Sequence, residues 1–265
     1  MKTNNKKYLN ICNEIKKNGI AIVENYFSKK QCKNIKKKLD KALLKRIKKK
    51  IYCGNDTYQV LDNYFMDDFT LAPMIFQTLT DLVMKNLIDD DYVLISPSAR
   101  NTRINNKNFK GSGTSGLGWH TDSRFIQSGR GFNPSFSYMS IICIDEFKKE
   151  NGCTHFIPKS HLRYKRPKNR EANLKYKFMT APIGSIIYID TALWHRAGQE
   201  TSESRWGIFN TYGPWFIKPY HRFYEMFSRK QIKKLKPVLK QLLHFDSITP
   251  KSHLERMNTL QKYQK

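Results

Sequence analysis

Short apolar segments that alternate with turn-forming residues run from about residue 92 to residue 210, and they constrain the fold more than any other feature. Gly, Pro and Asn bound these segments, and such residues favour turns. The predicted strands are residues 92–95, 99–104, 136–144, 153–157 and 184–190. Many short strands separated by turns are typical of a β-sandwich or a small barrel. We therefore predict a mainly β core.

Helical patterns precede this core. Residues 10–17 are predicted to form a short helix and residues 19–23 a buried strand. Ser28 is a suitable N-cap, because its hydroxyl can accept a hydrogen bond from a backbone N–H of the first helical turn. The helix that follows is predicted to end near residue 50, with apolar side chains such as Ile47 on its inner side, close to the 3.6-residue period.

A second amphipathic helix is predicted over residues 73–87. We expect the whole chain, residues 1–265, to form a single domain, because its length allows one sizeable core. Residues 1–90 would be its mainly helical part and residues 91–215 its β core. A helical, lysine-rich tail is expected over residues 216–265.

The net charge is strongly positive, with 48 Lys and Arg against 22 Asp and Glu, or +26 at pH 7. A positive field attracts polyanions and acidic small molecules. The lysines are spread along the chain and accompanied by much Asn, which favours compositional drift and a solvated surface over a dedicated polyanion site. No zinc-finger, RNP or helix-turn-helix pattern is present, so no nucleic-acid partner is expected.

Cysteine usage and hydropathy suggest the cellular setting. The five cysteines have no C-x-x-C spacing, which predicts reduced, packed thiols rather than a disulfide framework or a zinc site. No apolar run approaches the roughly 18–20 residues of a membrane span, and residues 1–17 lack the apolar centre of a secretory signal. A cytoplasmic protein is the resulting expectation.

A histidine and an aspartate, His120 and Asp122, follow a glycine-rich run directly. In an extended segment side chains alternate between faces, so these two point the same way. Together they can supply two ligands to a divalent metal. The pair alone is also compatible with a polar strand end whose side chains contact solvent or backbone.

A second histidine, His195, follows a predicted strand and a short turn, and Arg205 comes ten residues later. Two imidazoles and one carboxylate occupy one face of an Fe(II) octahedron and leave positions open for O₂ and a bidentate co-substrate. A 2-oxoglutarate bound there still has a distal carboxylate, which a planar, bidentate guanidinium pairs with better than a lysine does.

Several motifs in this order resemble the phytanoyl-CoA dioxygenase family of Fe(II)/2-oxoglutarate oxygenases. The motifs span roughly residues 90–215 and are Trp119-His120-Thr121-Asp122, Asn151-Gly152-Cys153, Ile157-Pro158-Lys159-Ser160-His161, Gly184-Ser185 and Trp194-His195-Arg196-Ala197-Gly198 with Arg205. The resemblance implies a double-stranded β-helix, or jelly roll, flanked by helices. It also implies that His120, Asp122 and His195 bind iron and that Arg205 binds the 2-oxoglutarate carboxylate.

The chain departs from the family pattern at two positions. Lys159 stands where the family usually has glycine, and Ile141 falls near a position that is tryptophan in some relatives. Further candidates for co-substrate binding are Thr102 and Asn105, which precede the glycine-rich run. Arg124 is a candidate for binding an anionic substrate group, and Arg100 and Arg130 are weaker ones; each could also pair with a loop carboxylate instead.

The resemblance implies a reaction in which 2-oxoglutarate and O₂ yield succinate and CO₂ while a C–H bond of a small molecule is hydroxylated or desaturated. Asp122 favours these outcomes over halogenation, because related halogenases carry a small residue at that ligand position. An acidic substrate is a hypothesis that fits the positive charge. The alternative function is a non-catalytic β-helix protein that binds an acidic ligand or a polyanion through its basic surface.

Overall fold

The computed structural model describes residues 2–55, 58–102, 118–123, 135–168, 175–199, 201–246, 252–255 and 257. Two antiparallel sheets dominate these residues. The strands are β1 Ile20–Val23, β2 Gly54–Asn55, β3 Tyr58–Asp62, β4 Val93–Asn101, β5 Tyr138–Cys143, β6 His155–Phe156, β7 Lys177–Phe178, β8 Ile186–Asp190, β9 His195–Arg196 and β10 Trp206–Gly213. The larger sheet has the order β1-β8-β5-β10-β4-β3-β2 and the smaller one β7-β6-β9.

Helices flank the sheets on both sides of the β core in sequence. They are α1 Lys2–Asn18, α2 Lys29–Lys48, α3 Thr78–Leu87, α4 Phe223–Met226, α5 Arg229–Lys234 and α6 Pro237–Leu242. Short 3₁₀ helices cover Tyr64–Met66, Phe69–Ile75, Lys149–Asn151 and Ser160–Arg163. The prediction of a mainly β core with flanking helices is confirmed. Within the described ranges, none of the helices has the length and apolarity needed to cross a bilayer.

Helix α2 begins as predicted. The Ser28 hydroxyl accepts from the backbone N–H of Gln31, and the Gln31 side chain accepts in return from the backbone N–H of Ser28, which completes a capping box. The buried side of α2 consists of Cys32, Ile35, Leu39 and Ala42. Ile47 was predicted on this side, but it is 53% exposed, because the last turn of α2 extends beyond the core.

The predicted helix over residues 73–87 is wrong in its first turn. Pro73 belongs to the 3₁₀ helix Phe69–Ile75, and Phe76 then adopts an extended backbone with φ −146° and ψ 118°. Helix α3 therefore begins only at Thr78. A proline has no backbone N–H for an α-helical bond, which fits its place in a short 3₁₀ turn before the true helix.

Residues 92–95 and 99–104 were predicted as two strands, but β4 is one continuous strand across Pro97. The interruption was inferred from the proline, which cannot donate a ladder hydrogen bond. In the structure β3 ends at Asp62, and the carbonyl of Pro97 accepts from the backbone N–H of Asn63. Residue 97 is therefore tolerated beside the end of a neighbouring strand. The strand predicted over 153–157 shortens to β6.

Side chains of the larger sheet separate into two layers of core. One face packs on the helices through residues such as Ile142, Tyr188 and Ile208. The opposite face carries Met139, Ile141, Cys143, Ile187 and Phe209 and packs with Phe147, Phe156 and Leu193. We call this second side, which faces the smaller sheet, the inner face.

Strands β1, β2 and β3 come from the first 90 residues, so the larger sheet extends beyond the predicted core of residues 91–215. The single-domain organisation stays a prediction. All five cysteines are free thiols, and four of them are buried, as expected for reduced, packed side chains.

Candidate metal centre

The structure brings His120, Asp122 and His195 together. The backbones of His120 and His195 form an antiparallel bridge with two N–H···O bonds of 3.0 Å each. The backbone N–H of Asp122 donates to the carbonyl of Thr191 at 2.9 Å, which holds the aspartate on the same side of the bridge. One ligand atom from each of the three side chains lies within 4.8 Å of the others.

Both imidazoles are oriented by backbone carbonyls. His120 Nδ1 lies 2.9 Å from the carbonyl oxygen of Gly118, and His195 Nδ1 lies 2.9 Å from that of Leu193. A carbonyl only accepts, so each Nδ1 carries the proton and each Nε2 keeps its lone pair. The Nε2 atoms of His120 and His195 lie 3.8 and 3.5 Å from the two carboxylate oxygens of Asp122. This is the second-sphere arrangement that fixes the tautomer of metal-binding histidines.

The electrostatics of the cluster favour a bound cation. Burial disfavours the ionised form of Asp122, but the neighbouring His195, Arg100 and His120 outweigh it and hold the pKa of the carboxyl well below its usual range. Burial, reinforced by the nearby His195, lowers the pKa of His120. Burial also acts to lower the pKa of His195, yet the Asp122 carboxylate raises it overall. An ionised carboxylate thus lies beside two imidazole nitrogens, a donor set that suits a divalent transition metal.

Access to the cluster is retained on one side. The side chains of Asp122 and His120 are 34% and 27% exposed, whereas that of His195 is 11% exposed. A cation could therefore enter from the side of Asp122. The three ligand types leave coordination positions for other groups on that side.

Arg205 directly precedes β10 and is only 3% exposed. Its backbone N–H donates to Asn101 Oδ1 at 2.9 Å, and its guanidinium lies over the ring of Phe147 at 5.0 Å from the centroid. Alternation along β10 places Arg205 on the same side as Phe209, the inner face. Arg205 is thus a buried cation in the layer of core that faces the smaller sheet.

Thr102 is 6% exposed and follows the last residue of β4. Because Asn101 pairs with Trp206, Thr102 lies beside Arg205 in the β4–β10 register. Asn105 and Arg124, the other two candidates for ligand binding, lie outside the described residues, as does Arg130.

Comparison with known proteins identifies the family. A sequence model described as Phytanoyl-CoA dioxygenase (PhyH) matches residues 15–206, which is most of the chain. The chain belongs to the phytanoyl-CoA dioxygenase family. Members of this family depend on Fe(II) and 2-oxoglutarate, and the donor set of the His–Asp–His cluster suits Fe(II).

Curated relatives in the family are distant. Dioxygenase af480 of Aspergillus fumigatus is 26% identical over 192 residues, which are 71% of this chain and 57% of that protein. The uncharacterized protein Rv1501 of Mycobacterium tuberculosis is 32% identical over 62 residues, 23% of each chain. The chain therefore spans less than two thirds of the length of these relatives.

Solved structures confirm the fold. The non-heme alpha ketoglutarate dependent epimerase SnoN from nogalamycin biosynthesis superposes with a TM-score of 0.61 at 14% identity, over 81% of this chain and 86% of that one. HygX from Streptomyces hygroscopicus, with nickel and 2-oxoglutarate bound, gives 0.62 at 12% identity over 82% and 89%. The double-stranded β-helix, or jelly roll, predicted from the family resemblance is thereby confirmed.

Asp145 is a site-supporting residue that sequence reasoning missed. Its carboxylate accepts from Lys36 Nζ at 2.7 and 2.9 Å, from Ser204 Oγ at 2.7 Å and from the backbone N–H of Trp206 at 2.9 Å. These bonds tie α2 to the start of β10, on either side of Arg205. The partners lie 109, 59 and 61 residues away in the chain, so no local pattern could have revealed them.

Next to the cluster lies a stack of aromatic side chains and one arginine that the sequence analysis did not predict. The guanidinium of Arg196 contacts the rings of both Trp119 and Tyr176, at 4.7 and 5.1 Å from their centroids, and the two rings lie 6.0 Å from each other. Arg196 Nε donates to His155 Nδ1 at 3.2 Å, and the His155 ring stacks on Tyr176 at 4.8 Å. These contacts hold the His155 ring in place between a guanidinium and aromatic side chains. The stack holds Trp119 and Arg196, the residues beside two of the candidate ligands.

Proposed function

We propose that this protein is an Fe(II)/2-oxoglutarate-dependent oxygenase that hydroxylates or desaturates a C–H bond of a small molecule and releases succinate and CO₂. Its family membership supports the class of enzyme. The proposal assigns His120, Asp122 and His195 as the iron ligands.

The observation that carries the proposal is the orientation of the two imidazoles. Each Nδ1 is occupied by a backbone carbonyl at 2.9 Å, and each Nε2 faces the Asp122 carboxylate within 3.8 Å. A histidine with a purely structural role has no need to turn its second nitrogen toward a shared carboxylate and a second imidazole. This arrangement is instead the one expected when both nitrogens bind one metal ion.

Arg205 is proposed to bind the distal carboxylate of 2-oxoglutarate. Its burial and its place on the inner face support this role, because a guanidinium removed from water makes stronger charge-assisted hydrogen bonds. Thr102, which lies beside it in the register, is proposed to contribute a hydroxyl to the same carboxylate. Gly207, the next residue on that face, allows the ring of Phe147 to pack closely against β10, since a Cβ there would lie 2.8 Å from this ring.

The roles of the iron, the co-substrate and the protein side chains follow from these positions. The iron and its co-substrate supply the oxidising chemistry when they are bound. The protein holds the metal through three side chains, holds 2-oxoglutarate through Arg205, and keeps the inner face lined by apolar groups such as Ile141 and Phe209. Such a lining limits the access of water to the reacting groups.

The test is succinate release from 2-oxoglutarate, measured with Fe(II) and O₂ in the absence of added substrate and then with candidate substrates. Wild-type protein should release succinate, and Asp122→Ala should release none above background, because one of three ligands is lost. His253→Ala, which removes an exposed histidine far from the site in sequence, is the matched control and should behave as wild type.

The product then defines the reaction. Gain of one oxygen atom indicates hydroxylation, and loss of two hydrogens indicates desaturation. Absence of Fe(II)-dependent succinate release from folded wild-type protein would contradict the proposal and favour the non-catalytic binding protein.

A further inference from the structure

Strands β3, β4 and β10 present a row of side chains on the inner face that the proposed cofactors do not account for. In the β4–β10 register Arg100 lies opposite Gly207, and Ser98 lies opposite Phe209. On the other side of β4, Arg100 lies opposite Val60 of β3. Because directly paired residues share a face, Arg100 projects from the same face as Phe209 and Arg205.

The contacts of Arg100 hold its guanidinium over this face. Its Nε donates to Ser98 Oγ at 3.0 Å, and its guanidinium carbon lies 4.9 Å from the centroid of the Phe209 ring. The residue is half-buried. A cation–π contact and one bond to a neutral hydroxyl fix the orientation, and among the described residues no carboxylate is hydrogen-bonded to the guanidinium.

Carboxylates near Arg100 do not neutralise it. Asp62, the acidic residue on the same face of β3, lies opposite Ser98, two residue pairs along the register from Arg100. The charge of Arg100 helps to lower the pKa of Asp122, but the carboxylate oxygens of Asp122 face the two imidazoles. Among the described residues no ion pair joins Arg100 to either of them.

The metal cluster and Tyr58 lie within the electrostatic reach of Arg100. Its charge lowers the pKa of His120, Asp122 and His195, in each case alongside larger effects. Burial raises the pKa of Tyr58, with Arg100 acting against this shift and Asp122 adding to it. Because Tyr58 alternates with Val60, which pairs with Arg100, its side chain lies on the same face of the sheet as Arg100.

The number of cations and anions in the site points to an anion beyond those of Asp122 and 2-oxoglutarate. Resting on the proposed function, 2-oxoglutarate brings two carboxylates, of which one goes to the iron and the other to Arg205. Arg100 is a second inner-face cation for which the co-substrate has no remaining anion. Burial of an unpaired charge is costly, so the site gains most from a ligand that brings its own anion to this position.

We propose that Arg100 and the phenol of Tyr58 form the recognition site for an anionic group, a carboxylate or a phosphate, on the molecule that is oxidised. The guanidinium supplies paired N–H donors and the phenol an O–H donor, so that a planar carboxylate or a phosphate is held on the inner face of β3 and β4. Specificity for an acidic substrate thus lies on β3 and β4, next to β10, the strand that Arg205 directly precedes.

The experiment uses full-length protein loaded anaerobically with Fe(II) and 2-oxoglutarate. Hexanoate, hexyl phosphate and neutral hexanamide serve as probes, and their binding is measured by titration calorimetry, which does not depend on turnover. Wild-type protein should bind at least one of the two anions about tenfold or more tightly than the amide, the value expected for charge-assisted hydrogen bonds. Whichever anion binds more tightly identifies the headgroup as carboxylate or phosphate.

Arg100→Gln should abolish this preference, and Tyr58→Phe should reduce it by a smaller factor. Arg222→Gln, which removes an arginine whose side chain is 73% exposed, is the matched control and should retain the full preference. The visible charge-transfer band of the Fe(II)/2-oxoglutarate complex is recorded on the same samples and should be unchanged in Arg100→Gln.

The outcomes separate the two proposals. Equal binding of anions and amide by wild type overturns this inference, as does a preference for the anions that persists in Arg100→Gln. If the charge-transfer band is present in these samples, the proposed function is not affected by either outcome. Weaker 2-oxoglutarate binding in Arg100→Gln would also overturn it, because Arg100 would then serve the co-substrate. A missing band in wild type refutes the proposed function, and the inference with it.

Discussion

Removal of the Asp145 carboxylate should lower both the stability of the fold and the affinity for 2-oxoglutarate. In Asp145→Ala the backbone N–H of Trp206, a fully buried residue, loses its carboxylate acceptor at 2.9 Å. Loss of a charge-assisted bond to a buried donor costs about 1.5–3 kcal/mol. The ion pair to Lys36, whose side chain is 32% exposed, adds only about 0.5 kcal/mol after screening. The free energy of unfolding should therefore fall by about 2–4 kcal/mol.

Urea denaturation measures this change as a lower transition midpoint at an unchanged m-value. The neighbouring Glu146→Ala removes an exposed carboxylate and is the matched control, with an expected change within about 0.5 kcal/mol. The same variants are then titrated with 2-oxoglutarate. Affinity should fall in Asp145→Ala, because the carboxylate holds residues on both sides of Arg205. A loss of stability below about 0.5 kcal/mol would refute the view that Asp145 anchors the start of β10.

Two further perturbations follow from the packing. Gly207→Ala should destabilise the fold by about 1–3 kcal/mol and weaken 2-oxoglutarate binding, because the added Cβ would lie 2.8 Å from Phe147 and 3.0 Å from Phe209; unchanged denaturation and titration curves would contradict this. Burial lowers the pKa of His244, whose Nε2 donates to the Leu94 carbonyl at 3.0 Å. The unfolded chain therefore binds more protons, and stability is lost as the pH falls through the unfolded pKa of about 6.5. His244→Asn, which tolerates the φ of 65°, should show a shallower loss on acidification; identical pH slopes would count against it.

Local chemistry explains which parts of the fold could be predicted from the sequence. The cap at Ser28 depends on residues three apart, and it was predicted correctly. The strand break expected at Pro97 was wrong, because the tolerance for proline depends on where the neighbouring β3 ends. Helix α3 starts later than predicted because periodicity alone did not separate it from the preceding 3₁₀ turn.

The candidate site could likewise be predicted only in those features that depend on residue type and order. Residue type, order and family resemblance singled out His120, Asp122 and His195, and the structure brings them within 4.8 Å. The orientation of their rings could not be predicted, because it depends on the carbonyls of Gly118 and Leu193.

The positions of the charged residues around the site could not be predicted from the sequence either. Arg100 was only a weak candidate because nothing local shows which face of β4 it occupies. Its cross-strand partner Gly207 defines that face, and such a partner becomes visible only with the strand register. Asp145 escaped notice for the same reason, because its partners are remote in the chain.

The assignment of His120, Asp122 and His195 as iron ligands is tested most directly by an anaerobic titration of Fe(II) in the presence of 2-oxoglutarate, monitored by the visible metal-to-ligand charge-transfer band. We predict a saturable band at one iron per chain in wild type and its loss in His195→Ala, with the fold preserved. A folded, iron-loaded wild type without the band, or an undiminished band in His195→Ala, would contradict the assignment of this cluster as the iron site.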